Sequence, residues 1–236
     1  MLHEETVEAG TLDLIRKLTA DSLLKDFVLI GGTALSLQLG HRKSVDIDLF
    51  TSRDFDATSI GRHIEGVYRG ESVTVLKNGV FSIIDGIKTG MLSHGYDWIH
   101  PLKEIEGVRM ASLDEIGAMK LNAIINSGQR LKDFVDVHFL LEKRSLNDLM
   151  DAFIAKYPDV NPAIAKNALL YHSEIKFEVN LGLLNGEFNW QEVKARLKEA
   201  VVEPKKVFEV KQQPTIKIQK TREDHPSKRL GKNRRR

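Results

Sequence analysis

Residues 27–50 read FVLIGGTALSLQLGHRKSVDIDLF. The stretch opens on Phe27-Val28-Leu29-Ile30, an apolar run with the length and composition of a buried strand. Gly31 and Gly32 stop it. From Thr33 the pattern turns helical, with Leu35 and Leu39 four residues apart on one helix face. Val45-Asp46-Ile47-Asp48-Leu49-Phe50 then alternates strictly and reads as a second strand. Side chains on a strand point alternately to its two faces, so Asp46 and Asp48 share one face and Val45, Ile47 and Leu49 the other.

Two carboxylates side by side on a half-buried strand face repel each other and need a counter-charge. A divalent cation supplies it, and Mg²⁺ favours one or two carboxylates completed by substrate phosphates. The diglycine just upstream lets the backbone approach a ligand closely. It also sets the N-terminus of the following helix, with its unsatisfied N–H groups, where a phosphate would sit. Strand, Gly-Gly, helix and Asp-x-Asp together form a device for holding a metal-bound triphosphate. Asp46 and Asp48 are the expected Mg²⁺ ligands, and Gly31, Gly32 and Thr33 the expected phosphate cradle. The plainer alternative is a polar-faced strand after a glycine turn.

Gly31-Gly32-Thr33-Ala34-Leu35, followed by Arg42-x-Ser44-x-Asp46-x-Asp48-Leu49-Phe50, resembles the nucleotidyltransferase superfamily that includes DNA polymerase β. Within it, the pattern resembles the AbiEii/AbiGii toxin family. A second block is similar too: Glu115-Ile116-x-Ala118-Met119-Lys120-Leu121-x-Ala123-Ile124, then Lys132-Asp133-Phe134-x-Asp136. Together the blocks cover roughly residues 10–142. The resemblance implies metal-dependent transfer of a nucleotide from an NTP to an acceptor hydroxyl, on RNA such as tRNA, with a cognate antitoxin as a possible partner. It implies that Lys120 and Asp136 complete the active site, with Asp133 beside them, Asp136 either orienting Lys120 or serving as base. Arg42 and Ser44 would add donors to the phosphates. Two departures stand out. Superfamily members often carry a third carboxylate on a neighbouring strand, which is absent here, and Ser127 replaces an arginine common before the glycine of the linker.

On the N-terminal side of the decisive stretch, Thr11 to Leu24 carries Leu12, Ile15 and Leu18 at helical spacing. On its C-terminal side a helix is expected around Thr58 to Glu65, with Asp54 and Asp56 as cap and turn residues. Val73-Thr74-Val75-Leu76 and Val80-Phe81-Ser82-Ile83-Ile84 flank Lys77-Asn78-Gly79 as a hairpin. Asp85-Gly86 turns the chain again into Ile87–Leu92, extending the sheet. Pro101 to Val108 reads as a connector. Ser112 and Glu115 predict a capping box that starts a helix at Leu113, ended by Ser127-Gly128. A further helix spans about Arg130 to Glu142, with Phe134, Val137 and Leu141 inward. Lys120 lies at the edge of its helix's apolar stripe, its ammonium free to reach a cleft. Residues 146–202 are mostly helical, broken at Pro158, Pro162 and Asn185-Gly186, with Leu146, Leu149, Phe153, Ala165, Leu169, Val193 and Leu197 in the core. Tyr171, His172 and Trp190 carry no motif and read as packing or surface residues.

The 236-residue chain has no cysteine, which excludes disulfides, thiolate metal sites and a cysteine nucleophile. It has no apolar run of membrane-spanning length and no signal pattern at MLHEETVEAG, so a cytoplasmic protein is expected. The net charge of +2 hides an asymmetry. Residues 205–236 hold 12 Lys/Arg against 3 Asp/Glu, and the remainder 23 against 30. The basic end has the composition of a disordered tail, either a solubilising or cloning-derived end or an electrostatic arm for RNA or DNA. The expected fold is α/β: a small mixed sheet with flanking helices over residues 1–110, a helical half over 111–202, and the basic tail over 203–236. Two other functions fit the same residues, transfer to a small molecule or protein, and a catalytically silent nucleic-acid or partner-binding module.

Overall fold

The computed structural model describes residues 1–184 and 187–210; the expected break at Asn185-Gly186 and the tail from residue 211 onward lie outside them. The fold is mixed α/β. Helix α1 (Thr11–Ala20) leads through a short 3₁₀ turn to strand β1 (Val28–Leu29), helix α2 (Gly31–Leu39) and strand β2 (Ile47–Thr51). Helix α3 (Ala57–Tyr68) precedes β3 (Glu71–Leu76), β4 (Gly79–Ile84) and β5 (Ile87–Ser93). A second hairpin, β6 (Lys103–Ile105) and β7 (Val108–Met110), closes the sheet. The helices α4 (Leu113–Asn126), α5 (Leu131–Leu140), α6 (Leu146–Lys156), α7 (Pro162–Leu170) and α8 (Trp190–Val202) follow.

The seven strands lie in the order β3-β4-β5-β2-β1-β7-β6. β2 runs parallel to β5 and β1 parallel to β7, while the remaining neighbours are antiparallel. Burial explains the central pair. Phe27, Val28, Leu29 and Ile30 are all buried, and Ile47 and Leu49 are completely so, because β1 and β2 sit mid-sheet beneath helices. α3 covers one face of β3 and β4: a Cβ added to Gly61 would fall 2.7 Å from Val75 Cγ2. Val75 pairs with Val80, and Val80 with Met91, so these three line the helix-covered face. α4 packs against α2, α5, α6 and α7 and forms the spine of the helical half. Gly117 permits that packing, since a Cβ there would meet Leu149 Cδ2 at 2.5 Å.

Several expectations shift. β2 begins at Ile47, so Asp46 precedes the strand and Val45 is 52% exposed rather than sharing the core face of Ile47 and Leu49. α2 begins at Gly31 rather than Thr33. The Pro101–Val108 connector contains the β6–β7 hairpin, turned at Glu106 (φ 52°) and Gly107 (φ 79°). Successive positive φ angles mark a type I′ turn, for which Glu-Gly is a weaker signal than Asn-Gly. Pro162 opens α7 instead of ending a helix, which suits a residue with fixed φ and no N–H.

The capping box at α4 forms by half. Ser112 accepts from the Glu115 N–H at 3.1 Å, as expected. The Glu115 side chain does not return to Ser112. It accepts from the Ile99 N–H at 2.9 Å and pairs with the buried Lys156 ammonium. Burial of Lys156 demands a counter-charge, and that demand outweighs one capping hydrogen bond. The complete capping box is at α6 instead, between Ser145 and Asp148.

Candidate active site

Backbone pairing brings the pieces of the decisive stretch together. The Ile30 N–H donates to the Asp48 carbonyl at 2.9 Å, so the chain leaves β1 directly beside the Asp48 side chain. Gly31 follows with φ +71°, a conformation that glycine adopts at little cost. A Cβ at Gly31 would fall 2.9 Å from Asp48 Oδ2. A Cβ at Gly32 would fall 2.5 Å from Arg42 Nη2 and 3.3 Å from Ser44 Oγ. Both glycines are therefore required by contact, the first against a carboxylate and the second against a guanidinium. The first-turn N–H groups of α2 have no intrahelical acceptors and open onto this cradle.

Thr33 and Ser44 act on the framework. The Thr33 hydroxyl hydrogen-bonds the Asp46 carbonyl and lies 2.8 Å from Ser44 Oγ. They tie the start of α2 to the segment that carries Asp46. Asp46 is exposed and Asp48 half-buried. Neither carboxylate accepts a hydrogen bond among the described residues. Burial first, and then the Asp46 charge, push the Asp48 carboxyl above its ordinary range. On β5, the residue paired with Asp48 is Gly90, so the adjacent strand presents no third carboxylate.

The second block is assembled differently. Asp136 on α5 is fully buried and has four polar contacts from three side chains. Arg42 donates twice, Nε to Oδ1 at 2.7 Å and Nη2 to Oδ2 at 2.9 Å. His41 Nε2 lies 2.9 Å from Oδ1, and Lys120 Nζ lies 2.7 Å from Oδ2. Lys120 also donates to Asp133 Oδ1 at 2.7 Å. Burial alone would raise the Asp136 carboxyl, but the Lys120 and Arg42 charges and the His41 and Arg42 hydrogen bonds hold it well below the carboxylate range. Burial likewise works against the Lys120 ammonium, and the charges of Asp136 and Asp133 overcome it and raise its pKa. Lys120 is thus enclosed by two carboxylates rather than reaching freely from the edge of a stripe.

Arg42 is drawn into the same cluster. Its third donor, Nη1, goes to the Lys43 carbonyl at 3.0 Å. The bidentate pair with Asp136 places the guanidinium behind the diglycine, as a fixed charge at the base of the cradle. Two further cations stand at the mouth. Arg130 is largely exposed, with one contact to Asp133 at 3.6 Å. Lys132 is half-buried, and burial and the Arg42 charge push its pKa down while Asp46 pulls it up. His41, Arg130 and Lys132 were not singled out from sequence. His41 directly follows Gly40, the left-handed residue that ends α2, and only the turn there aims it at α5.

The site thus has a glycine turn at the start of α2, two carboxylates that accept no hydrogen bond among the described residues, and a buried Lys–Asp–Arg–His cluster. A divalent cation fits the carboxylate pair. Asp48 Oδ2 lies beside Gly31 at the cradle, and neither carboxylate accepts a hydrogen bond among the described residues. Among the described residues no group of three or more His, Cys, Asp or Glu side chains could hold a metal, so phosphate and water would complete its shell.

The family model described as nucleotidyl transferase AbiEii toxin, type IV toxin–antitoxin system, matches residues 13–86 and 79–212. The Aquifex aeolicus protein aq_aa25 is 32% identical over 197 residues, spanning 81% of this chain and 94% of that one. Two solved Helicobacter pylori chains, one of them JHP933, each align over 85% of this chain at 18% identity and TM-score 0.45. The alignments span 94% and 91% of those chains. No helix among the described residues is long and apolar enough to cross a membrane.

Proposed function

Because this chain belongs to the nucleotidyl transferase AbiEii toxin family, we propose that it transfers a nucleotide from an NTP to an acceptor hydroxyl on RNA, such as tRNA. The observation that carries the reading is the contact between Gly31 and Asp48. It sets the Asp48 carboxylate against the glycine turn that opens α2, which supports phosphate binding and metal binding side by side. Mg²⁺ held by Asp46 and Asp48 would supply charge neutralisation of the triphosphate and of the developing transition state.

The chain's own residues account for the rest. N–H groups of Gly31, Gly32 and Thr33 bind the phosphates at the α2 N-terminus, with the Arg42 charge fixed behind them. Arg130 and Lys132 at the mouth attract the polyanion. The Lys120 ammonium, held charged by Asp133 and Asp136, adds positive potential at the reacting phosphate. Asp136 acts as a positioning residue and not as a base, because four donors surround it and it stays ionised. The acceptor oxygen forms a bond to the α-phosphorus, the bond from that phosphorus to pyrophosphate breaks, and the hydroxyl proton leaves to solvent. A cognate antitoxin is the partner protein that membership of a type IV toxin–antitoxin family suggests.

The test is incubation of the protein with each α-labelled NTP, Mg²⁺ and total RNA. Label should enter RNA with wild-type protein and not with Asp48→Ala. Transfer by Asp48→Ala at a near wild-type rate would sink the mechanism.

A further inference from the structure

The Asp48 carboxylate has a different neighbour on each side. Oδ2 faces Gly31 and the phosphate cradle, and Oδ1 lies 3.5 Å from where a Cβ of Gly90 would be. In-line displacement puts the attacking and leaving oxygens on opposite sides of the phosphorus. With the triphosphate on the Gly31 side, the Gly90 side is left open to an acceptor hydroxyl.

That side is an open sheet face. The strand register aligns Asp48 with Gly90 and Gly90 with Phe81, so all three share one face. The next row, displaced by two residues, is Phe50, Leu92, Gly79 and Leu76. The opposite face of these strands is the one that α3 covers. The two glycines shape a low floor. A Cβ at Gly90 would lie 3.5 Å from Phe81 Cδ1, and one at Gly79 would lie 3.6 Å from Phe81 Cε2. The Phe81 ring therefore lies down over both glycines, and it is 39% exposed. Phe81 Cδ1, Asp48 Oδ1 and Leu92 Cδ1 all border the same point above Gly90, at 3.3–3.5 Å from it. Leu76 on the same face is 54% exposed. At the end of the Phe50 row the open face gives way to packing, where His94, 5.5 Å from the Phe50 ring, and Tyr96 meet the buried Tyr157 at the end of α6.

We propose that this face seats the terminal unpaired nucleobase of the RNA acceptor, with Phe81 as its stacking platform and Leu92 beside it. The proposal rests on the nucleotidyl-transfer reading, which places the reacting phosphate at Asp48. A flat aromatic ring takes any base, since every base has a π-face. An open face admits the end of a polymer, as a closed pocket does not. Two cavities, of about 730 Å³ between α5 and α8 and about 620 Å³ beside α6, suit small ligands better, and neither is lined by Asp48, Gly90 or Phe81. The exposed Lys88, on the same face two residues from Gly90, adds a charge for the acceptor backbone.

The experiment uses the full chain and a single-stranded RNA oligonucleotide with 2-aminopurine at its 3′ end, whose fluorescence is quenched by stacking. Wild-type protein and Phe81→Trp should quench it, and Phe81→Ala should not. In transfer assays with the same oligonucleotide, Phe81→Ala should raise KM for RNA on the order of ten-fold, leaving kcat and KM for the NTP within about two-fold. A partner whose ring merely stabilises the sheet would give no difference in quenching, so equal quenching and equal KM in Phe81→Ala overturn the shelf. Loss of quenching in Phe81→Trp as well overturns it too. Stacking by wild-type protein that transfers no nucleotide to any acceptor would instead remove the catalytic reading and keep the shelf.

Discussion

The molecule carries two pairs of aspartates, one around the start of β2 and one on α5, and their surroundings are opposite. Asp46, just before β2, is exposed and Asp48, on β2, is half-buried, with no hydrogen-bond donor on either carboxylate among the described residues. Asp133 and Asp136, on α5, are buried and bonded to Lys120, Arg42 and His41. Buried charge without compensation costs several kcal/mol, so a fully enclosed carboxylate must be paired by the fold itself. A carboxylate at a solvent-open mouth tolerates waiting for a ligand. The first pair is open to a ligand, and the second is committed to cations supplied by the fold itself.

The largest effect should come from removing the buried carboxylate. Asp136→Ala strands Lys120 and Arg42 as buried charges and should cost about 3–5 kcal/mol in urea unfolding, with loss of transfer. Asp48→Ala should lose transfer equally while leaving the unfolding midpoint nearly unchanged, because one of two repelling charges is removed. Equal destabilisation by the two substitutions would break the comparison.

Within the second pair, Lys120→Ala and Asp136→Ala should each remove most of kcat. Their combination should cost little more than the worse single change, since they act as a unit. Additive losses in single-turnover rates would show that the two contribute separately, and unchanged rates that the cluster only holds the fold.

A milder effect separates the pairs by pH. Asp136 has a depressed pKa in the folded state, so its stabilisation is present above the unfolded value of about 3.9 and is lost as pH falls through the lower folded value. Lys120 has a raised pKa, so its contribution is present below about 10.4 and is lost as pH rises through the higher folded value. Stability from Asp136 and Lys120 should thus be flat from about pH 5 to 10. His41, whose pKa burial lowers, should add a loss as pH falls below about 6.5. Asp48, with a raised carboxyl, should start to lose Mg²⁺ at a higher pH than an ordinary carboxylate as acid is added. Thermal unfolding with and without Mg²⁺ over this range is the measurement. A Mg²⁺-dependent shift in Tm that survives below pH 4 would contradict the assignment of Asp48.

The smallest effect concerns the acidic body as a whole. Two uncompensated carboxylates in a body of 23 Lys/Arg and 30 Asp/Glu repel RNA, and the basic residues 205–236 offset that repulsion. Removing residues 211–236 should flatten the salt dependence of RNA binding, by about 0.7–0.9 in slope per lost phosphate contact, with kcat unchanged. Identical slopes with and without the segment would favour an acceptor other than RNA.

Much of this was legible in the chain. The alternation of Ile47, Asp48 and Leu49, the diglycine and the helical spacing that follows it are local patterns, and local patterns survive in one dimension. The Asn78-Gly79 hairpin and the Ser112 start of α4 were visible for the same reason. What failed were competitions between local and distant partners. Glu115 is a capping residue by spacing, yet the ammonium of Lys156, forty-one positions away, takes its side chain. Arg42 has the look of a phosphate donor, yet Asp136 on α5 engages its fork.

By itself, then, the sequence named the residues proposed to carry chemistry: the glycines, Asp46 and Asp48, and the Lys120–Asp136 block in its order. Tertiary structure decided which of them are free to use it. Hydrogen-bond donors have fixed number and direction, and which acceptor claims them depends on distances that the chain sets only once α5 packs against α2. The same holds for Phe81, an ordinary strand residue until β4 and β5 align it over Gly90 beside the Asp48 carboxylate.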